Sequence, residues 1–138
     1  MYRKIVLLPA CLLLSLSCLG QKVKYKDLFF LLNARQYAQA EPFLKNYLKE
    51  NDDNPNAYLF MGLIFHEKVN TTDVLQQAAL LNTYIDSAIF FYDKTNKGLT
   101  EKEVSRNEEY YQAYNRRDLR TGKFGVTLSD IQFDLEKK

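Results

Sequence analysis

Between Tyr25 and Leu135 the apolar residues recur at intervals of three and four, and the 118 residues after position 20 hold only four glycines and two prolines. That interval lines up side chains on one face of an α-helix, whereas a strand needs alternation at two. The pattern therefore points to a helical fold. Tyr25, Leu28, Phe29 and Leu32 stand at i, i+3, i+4 and i+7, which predicts a short helix from Lys24 to Asn33. Ala34-Arg35-Gln36 reads as a tight turn. Tyr37, Ala40, Leu44, Tyr47 and Leu48 form the stripe of a second helix over 37–50. Pro42 should bend that helix or move its start later, because its ring lacks an N–H and crowds the preceding turn.

Capping residues punctuate the rest. Asn54 followed by Pro55 is a strong helix start, a side-chain acceptor before a residue already held at helical φ. Tyr58, Met61, Gly62 and Phe65 mark its packed face to about Lys68, and 69–72 reads as a loop. Asp73-x-x-Gln76 can act as a capping box for a long helix. Val74, Ala78, Leu81, Ile85, Ala88 and Tyr92 make its first stripe; Leu80, Tyr84 and Phe91 make a second, so both sides should pack. Gly98 is expected to close it in a left-handed cap. Thr100-x-x-Glu103 opens a fifth helix from Glu101 to about Asp118, an irregular turn with Gly122 and Gly125 follows, and Ser129-x-x-Gln132 opens the last helix. That helix reaches Lys138 with no stop signal, which reads either as a shortened piece of a longer protein or as a frayed terminus.

The first 20 residues differ in kind. Arg3 and Lys4 precede an apolar run from Ile5 to Leu16, and both cysteines, Cys11 and Cys18, lie here. A run of about 12 residues is short for a membrane span and suits a signal peptide, so the chain is expected to be exported, periplasmic or outer-membrane associated. Two processing routes fit: cleavage after Gly20, with Cys18 as the small residue at −3, or lipidation at Cys18, although Ser15 stands where a lipobox has leucine. Beyond Gly20 there are 17 basic and 17 acidic residues and no cysteine. A disulfide scaffold, a cysteine-based metal site, a cysteine nucleophile and a strongly basic nucleic-acid binder are thereby excluded.

Ala57-Tyr58-x-x-Met61-Gly62-x-x-Phe65 resembles the first helix of a tetratricopeptide repeat, with Tyr58 at the family's Trp, Met61-Gly62 at its Leu-Gly and Phe65 at its Tyr. Arg35-Gln-Tyr37-x-x-Ala40-x-x-x-Leu44 is similar to the second helix of a preceding repeat, and Ser87-Ala88-x-x-x-Tyr92-x-x-Thr95 to that of the following one. The 26 residues from Gly62 to Ala88 exceed the family's roughly 12, so the second unit is irregular. The leader and the Tyr-, Phe-, Lys- and Asn-rich style resemble exported cell-envelope proteins of the Bacteroidota. The resemblance implies an all-α fold of antiparallel helical hairpins stacked as a short solenoid: 1–20 signal peptide, 21–97 repeats, 98–138 capping helices with a glycine-containing turn. It also implies a non-catalytic scaffold that binds a protein partner through a face built around Tyr58, Leu59, Leu63 and His66.

Other constellations offer less. Arg116, Arg117, Arg120 and Lys123 form the one basic cluster, and with Tyr110 they could make a glycan- or peptidoglycan-contacting patch. It is no phosphate loop, since the glycine required five residues before Gly122 is Arg117. His66 is the sole histidine, so no metal or other cofactor is expected, and Asn51-Asp52-Asp53-Asn54 lacks the glycine and glutamate of a calcium loop. Asp86-Ser87-Ala88 resembles a Bacteroidota O-glycosylation pattern at Ser87, and Asn70-Thr71-Thr72 fits the N-linked sequon. Nothing orients His66 for nucleophilic catalysis, and export argues against a nucleic-acid partner.

Overall fold

The computed structural model describes residues 23–138, so the leader, both processing sites and Cys18 lie outside the described residues. The fold is mostly helical. Helices α1 (Tyr25–Asn33), α2 (Tyr37–Glu50), α3 (Pro55–Thr71) and α4 (Ala78–Gly98) follow one another; then come α5 (Glu101–Arg106), a 3₁₀ segment (Glu108–Tyr114), a ribbon of β1 (Arg116–Arg117) and β2 (Phe124–Gly125), and α6 (Leu128–Glu136). The first four form successive antiparallel pairs. Tyr25 at the start of α1 meets Tyr47 near the end of α2, Glu41 early in α2 meets Lys68 late in α3, and Pro55 at the start of α3 meets Gly98 at the end of α4.

Helix α3 is central and buried on more than one side. Phe60, Met61 and Ile64 join Tyr25, Leu28, Leu32, Ala40 and Leu44 in one core cluster. Leu59 joins Ala88, Tyr92, Leu99, Val104, Tyr111, Tyr114, Ile131 and Leu135 in a second. The sequence stripe assigned α3 a single packed face; α1 and α2 cover one side and the C-terminal elements another. Because the second cluster draws on α3, α4 and everything after Gly98, packing is continuous across the boundary expected at residue 98.

Local chemistry explains where elements start and stop. Asn54 caps α3 as expected, its Oδ1 accepting from Ala57 N at 3.0 Å. The α1–α2 turn puts Arg35 at φ 56°, with Arg35 N donating to Leu32 O and Gln36 N to Leu31 O, the paired bonds of a Schellman stop. Pro42 does not delay α2. It sits inside a helix that begins at Tyr37, and the Ala38 carbonyl that loses its donor belongs to an exposed residue. Helix α3 runs on to Thr71, through the expected loop.

Four other expectations are corrected. Helix α4 begins at Ala78, not Asp73: Asp73 Oδ1 accepts from Leu75 N and Gln76 N in a local turn that competes with helix, and Leu75 is 95% exposed with nothing to pack on. Gly98 is helical and not left-handed; it is needed because an added Cβ would stand 2.8 Å from Pro55 Cγ. The fifth helix ends at Arg106 and continues from Glu108 as a 3₁₀ segment. A period of three brings Tyr111 and Tyr114 to one edge, and both are buried. Helix α6 starts at Leu128 with Thr127 as its cap, not Ser129, Thr127 Oγ1 accepting from Asp130 N.

Helix α4 packs less completely than its two stripes suggest. Ala88, Tyr92 and Thr95 are buried, whereas Leu80, Ile85, Ile89 and Phe90 are exposed. Among the described residues no helix is long and apolar enough to cross a membrane.

Candidate functional site

The aromatic residues of α1 set the site. Helical spacing puts Tyr25 and Phe29 on adjacent turns, and both rings meet Tyr110 of the 3₁₀ segment edge-on, at centroid separations of 5.2 and 4.9 Å. Phe29 meets Phe60 of α3 in the same way at 5.7 Å. Beneath them Asn56 is buried: its Oδ1 accepts from Tyr25 OH at 2.5 Å and its Nδ2 donates to Tyr110 O at 3.0 Å. One amide thus ties α1, α3 and the 3₁₀ segment together. Asn56→Leu leaves the Tyr25 hydroxyl and the Tyr110 carbonyl without their partner, and a stability loss of about 3 kcal/mol is expected in urea titrations. A loss below about 1 kcal/mol would show that neither bond matters.

A cleft of about 260 Å³ opens where the α1–α2 turn, α3 and the 3₁₀ segment meet. Leu32, Leu59 and Phe60 form its buried floor, and Phe29, Tyr37, Leu63, Tyr110 and Tyr114 line its sides. Exposed Asn33, Arg35, Glu109, Gln112 and Ala113 surround the mouth, so charge of both signs borders a hollow of mixed polar and aromatic lining. This arrangement suits an apolar side chain with polar flanks.

The expected contact face is only partly on the surface. Leu59 is 2% exposed and belongs to the core, which corrects its assignment as a surface contact. Leu63 is half-buried and borders the cleft. Tyr58 is half-buried and stacks on Phe91 at 6.2 Å, and His66 lies 6.4 Å from the Tyr92 ring. The stripe that suggested these residues marks the α3–α4 contact as much as an open surface. Phe29 and Tyr37 are legible in the sequence only as helix-face residues, and Phe60 falls outside the stripe read for its helix; that the three share a cleft with the 3₁₀ segment depends on long-range packing.

The basic cluster also divides. Arg116, Arg117, Arg120 and Lys123 are exposed on the β1–β2 ribbon and its turn, while Tyr110 faces Tyr25 and Phe29. Glu103, on the preceding helix, pairs with Arg106 and not with these cations. Ser87 lies mid-α4, its hydroxyl donating to Thr83 O at 2.7 Å, and Asn70 lies in the last turn of α3 and not in a loop. No group of three His, Cys, Asp or Glu among the described residues is placed to hold a metal ion.

Comparison with protein-family models, curated proteins and solved structures gave no match to the chain.

Proposed function

We propose that the protein is an exported, non-catalytic binding or assembly module of the bacterial cell envelope, with a tetratricopeptide-like helical array that engages a protein partner. The cleft carries this reading: a hollow of about 260 Å³ walled by aromatic side chains and bordered by Arg35 and Glu109 accommodates one large apolar side chain of a partner segment. The contact face accordingly moves from the Tyr58, Leu59, Leu63 and His66 stripe to Phe29, Tyr37, Leu63, Tyr110 and Tyr114. Export rests on Arg3-Lys4 and the apolar run to Leu16. The glycan-contacting alternative required Tyr110 beside the arginines, and it loses support because Tyr110 packs with α1.

Selection of displayed random peptides on the purified protein tests the reading. Peptides sharing an aromatic or large aliphatic anchor are expected. Their binding should fall at least about tenfold on Ala113→Arg, which fills the cleft mouth from an exposed position without touching the core. Peptides that bind wild type and Ala113→Arg equally would place the contact elsewhere.

A further inference from the structure

The β1–β2 ribbon is the most strongly charged exposed segment outside the cleft. Asp118 N donates to Lys123 O and Gly122 N to Asp118 O, which closes the turn with Gly122 at φ 71°. The Asp118 carboxylate, the only one within the ribbon, is engaged with the backbone. Its Oδ1 accepts from Arg120 N at 2.7 Å and Thr121 N at 3.1 Å, and these bonds hold its carboxyl below the usual range. Arg116, Arg120 and Lys123 therefore keep their charges toward solvent, and Arg117 uses only Nε, donating to Gly122 O.

The same turn exposes apolar side chains. Leu119 is 98% exposed and Phe124 is 72% exposed. Arg117 and Phe124 are register partners, so cation and ring lie on one face of the ribbon. Single exposed apolar residues are ordinary on a protein surface. Two on one hydrogen-bonded ribbon with four cations make a different pattern, in which apolar tips enter an interface while the cations stay among headgroups.

We infer that the Arg116–Gly125 ribbon is a contact for an anionic lipid surface, with Leu119 and Phe124 entering the headgroup region and Arg116, Arg117, Arg120 and Lys123 meeting lipid phosphates. Charge complementarity selects an anionic bilayer over a neutral one. The exposed apolar pair selects a bilayer over a soluble polyanion or a glycan, which would leave Leu119 and Phe124 in water. The inference stands apart from the cleft: it uses other residues, and failure of one leaves the other intact.

The chain contains no tryptophan, so Phe124→Trp installs a single reporter at the ribbon. Apolar residues 5–16 could by themselves hold the chain on a vesicle, and emission at the ribbon reports insertion there and not mere attachment. With phosphatidylcholine vesicles containing one-third phosphatidylglycerol, the emission should shift to the blue; with pure phosphatidylcholine, heparin or purified peptidoglycan it should not. A tryptophan at exposed Phe30 in α1, made by Phe30→Trp, should stay unshifted throughout. Adding Arg116→Glu and Arg120→Glu to the reporter should raise the lipid needed for half the shift at least about 25-fold, at roughly fivefold per lost cation. Arg116→Lys with Arg120→Lys should restore it, and Leu119→Ser should raise the requirement about fivefold. Absence of a shift on anionic vesicles, an equal shift on neutral ones, or an equal shift with heparin or peptidoglycan would overturn the inference.

Discussion

Replacing Gly62 with alanine is expected to lower stability by about 2 kcal/mol and the Tm by about 10 °C, even though alanine is the better helix former by about 1 kcal/mol. Gly62 sits mid-α3 with the Tyr92 ring of α4 lying against its backbone, and a Cβ there would stand 2.5 Å from Tyr92 Cδ1. Carbon atoms in contact prefer about 3.5–4.0 Å. Tyr92 is itself buried in the second core cluster, so its ring cannot turn aside without disturbing its neighbours. The helices must separate or the ring must leave its rotamer. Tyr92→Ala alone should cost about 3 kcal/mol by leaving a cavity. In that background Gly62→Ala should become neutral or stabilising, because its helix propensity is no longer offset by a clash. Thermal and urea denaturation of the four proteins checks the cycle. Wild-type stability for Gly62→Ala with Tyr92 in place would mean that the helices do not approach this closely.

Alkaline pH is expected to unfold the protein cooperatively at about pH 11–12. Burial raises Tyr25 well above the ordinary phenol range, with nearby phenols and Glu103 adding to it. Burial likewise raises Tyr92 and Tyr114, both beside the Asp134 carboxylate, and Tyr111, beside Glu103. Among the described residues the Tyr92 hydroxyl is buried without a hydrogen-bond partner, and every neighbour that acts on it disfavours the phenolate. A phenol raised in the folded state contributes stability that is fully present below its unfolded pKa of about 10 and is lost as pH rises towards the folded value. Each such tyrosine removes about 1.4 kcal/mol per pH unit above 10, so four remove roughly 5–6, against a typical total of 5–15 kcal/mol. The phenolate absorbance of these four buried tyrosines should therefore appear only above pH 10, together with the loss of helical circular dichroism. A single smooth titration near pH 10 with helicity intact would contradict the burial of these rings.

The helices were largely legible because their signals are local. Stripes at three and four placed α1 and α2 within a residue, and Asn54-Pro55 marked the start of α3 because a cap needs only its own side chain and the next turn's amides. Signals failed where two local structures compete. Asp73 and Thr100 both head capping-box patterns, yet Thr100 caps a helix while Asp73 closes a turn, and the difference is that Leu99 and Val104 find a core and Leu75 does not. The 3₁₀ segment was invisible for the same reason. Glu101 to about Asp118 reads as one helix until two tyrosines three residues apart must fill the same core.

Sequence alone determined that the described residues are mostly helical, where most of those helices begin, and that no cysteine follows Cys18. These follow from period, caps and composition, which act within a few residues. Only the tertiary structure decided that Leu59 is core and not surface, that Gly62 and Gly98 serve close helix approach, and that Tyr110 belongs to an aromatic cleft while the arginines stand apart on a ribbon. Those outcomes depend on which of several apolar faces finds a partner distant in sequence. Period cannot rank them, because an apolar stripe looks the same whether another helix covers it or a ligand does.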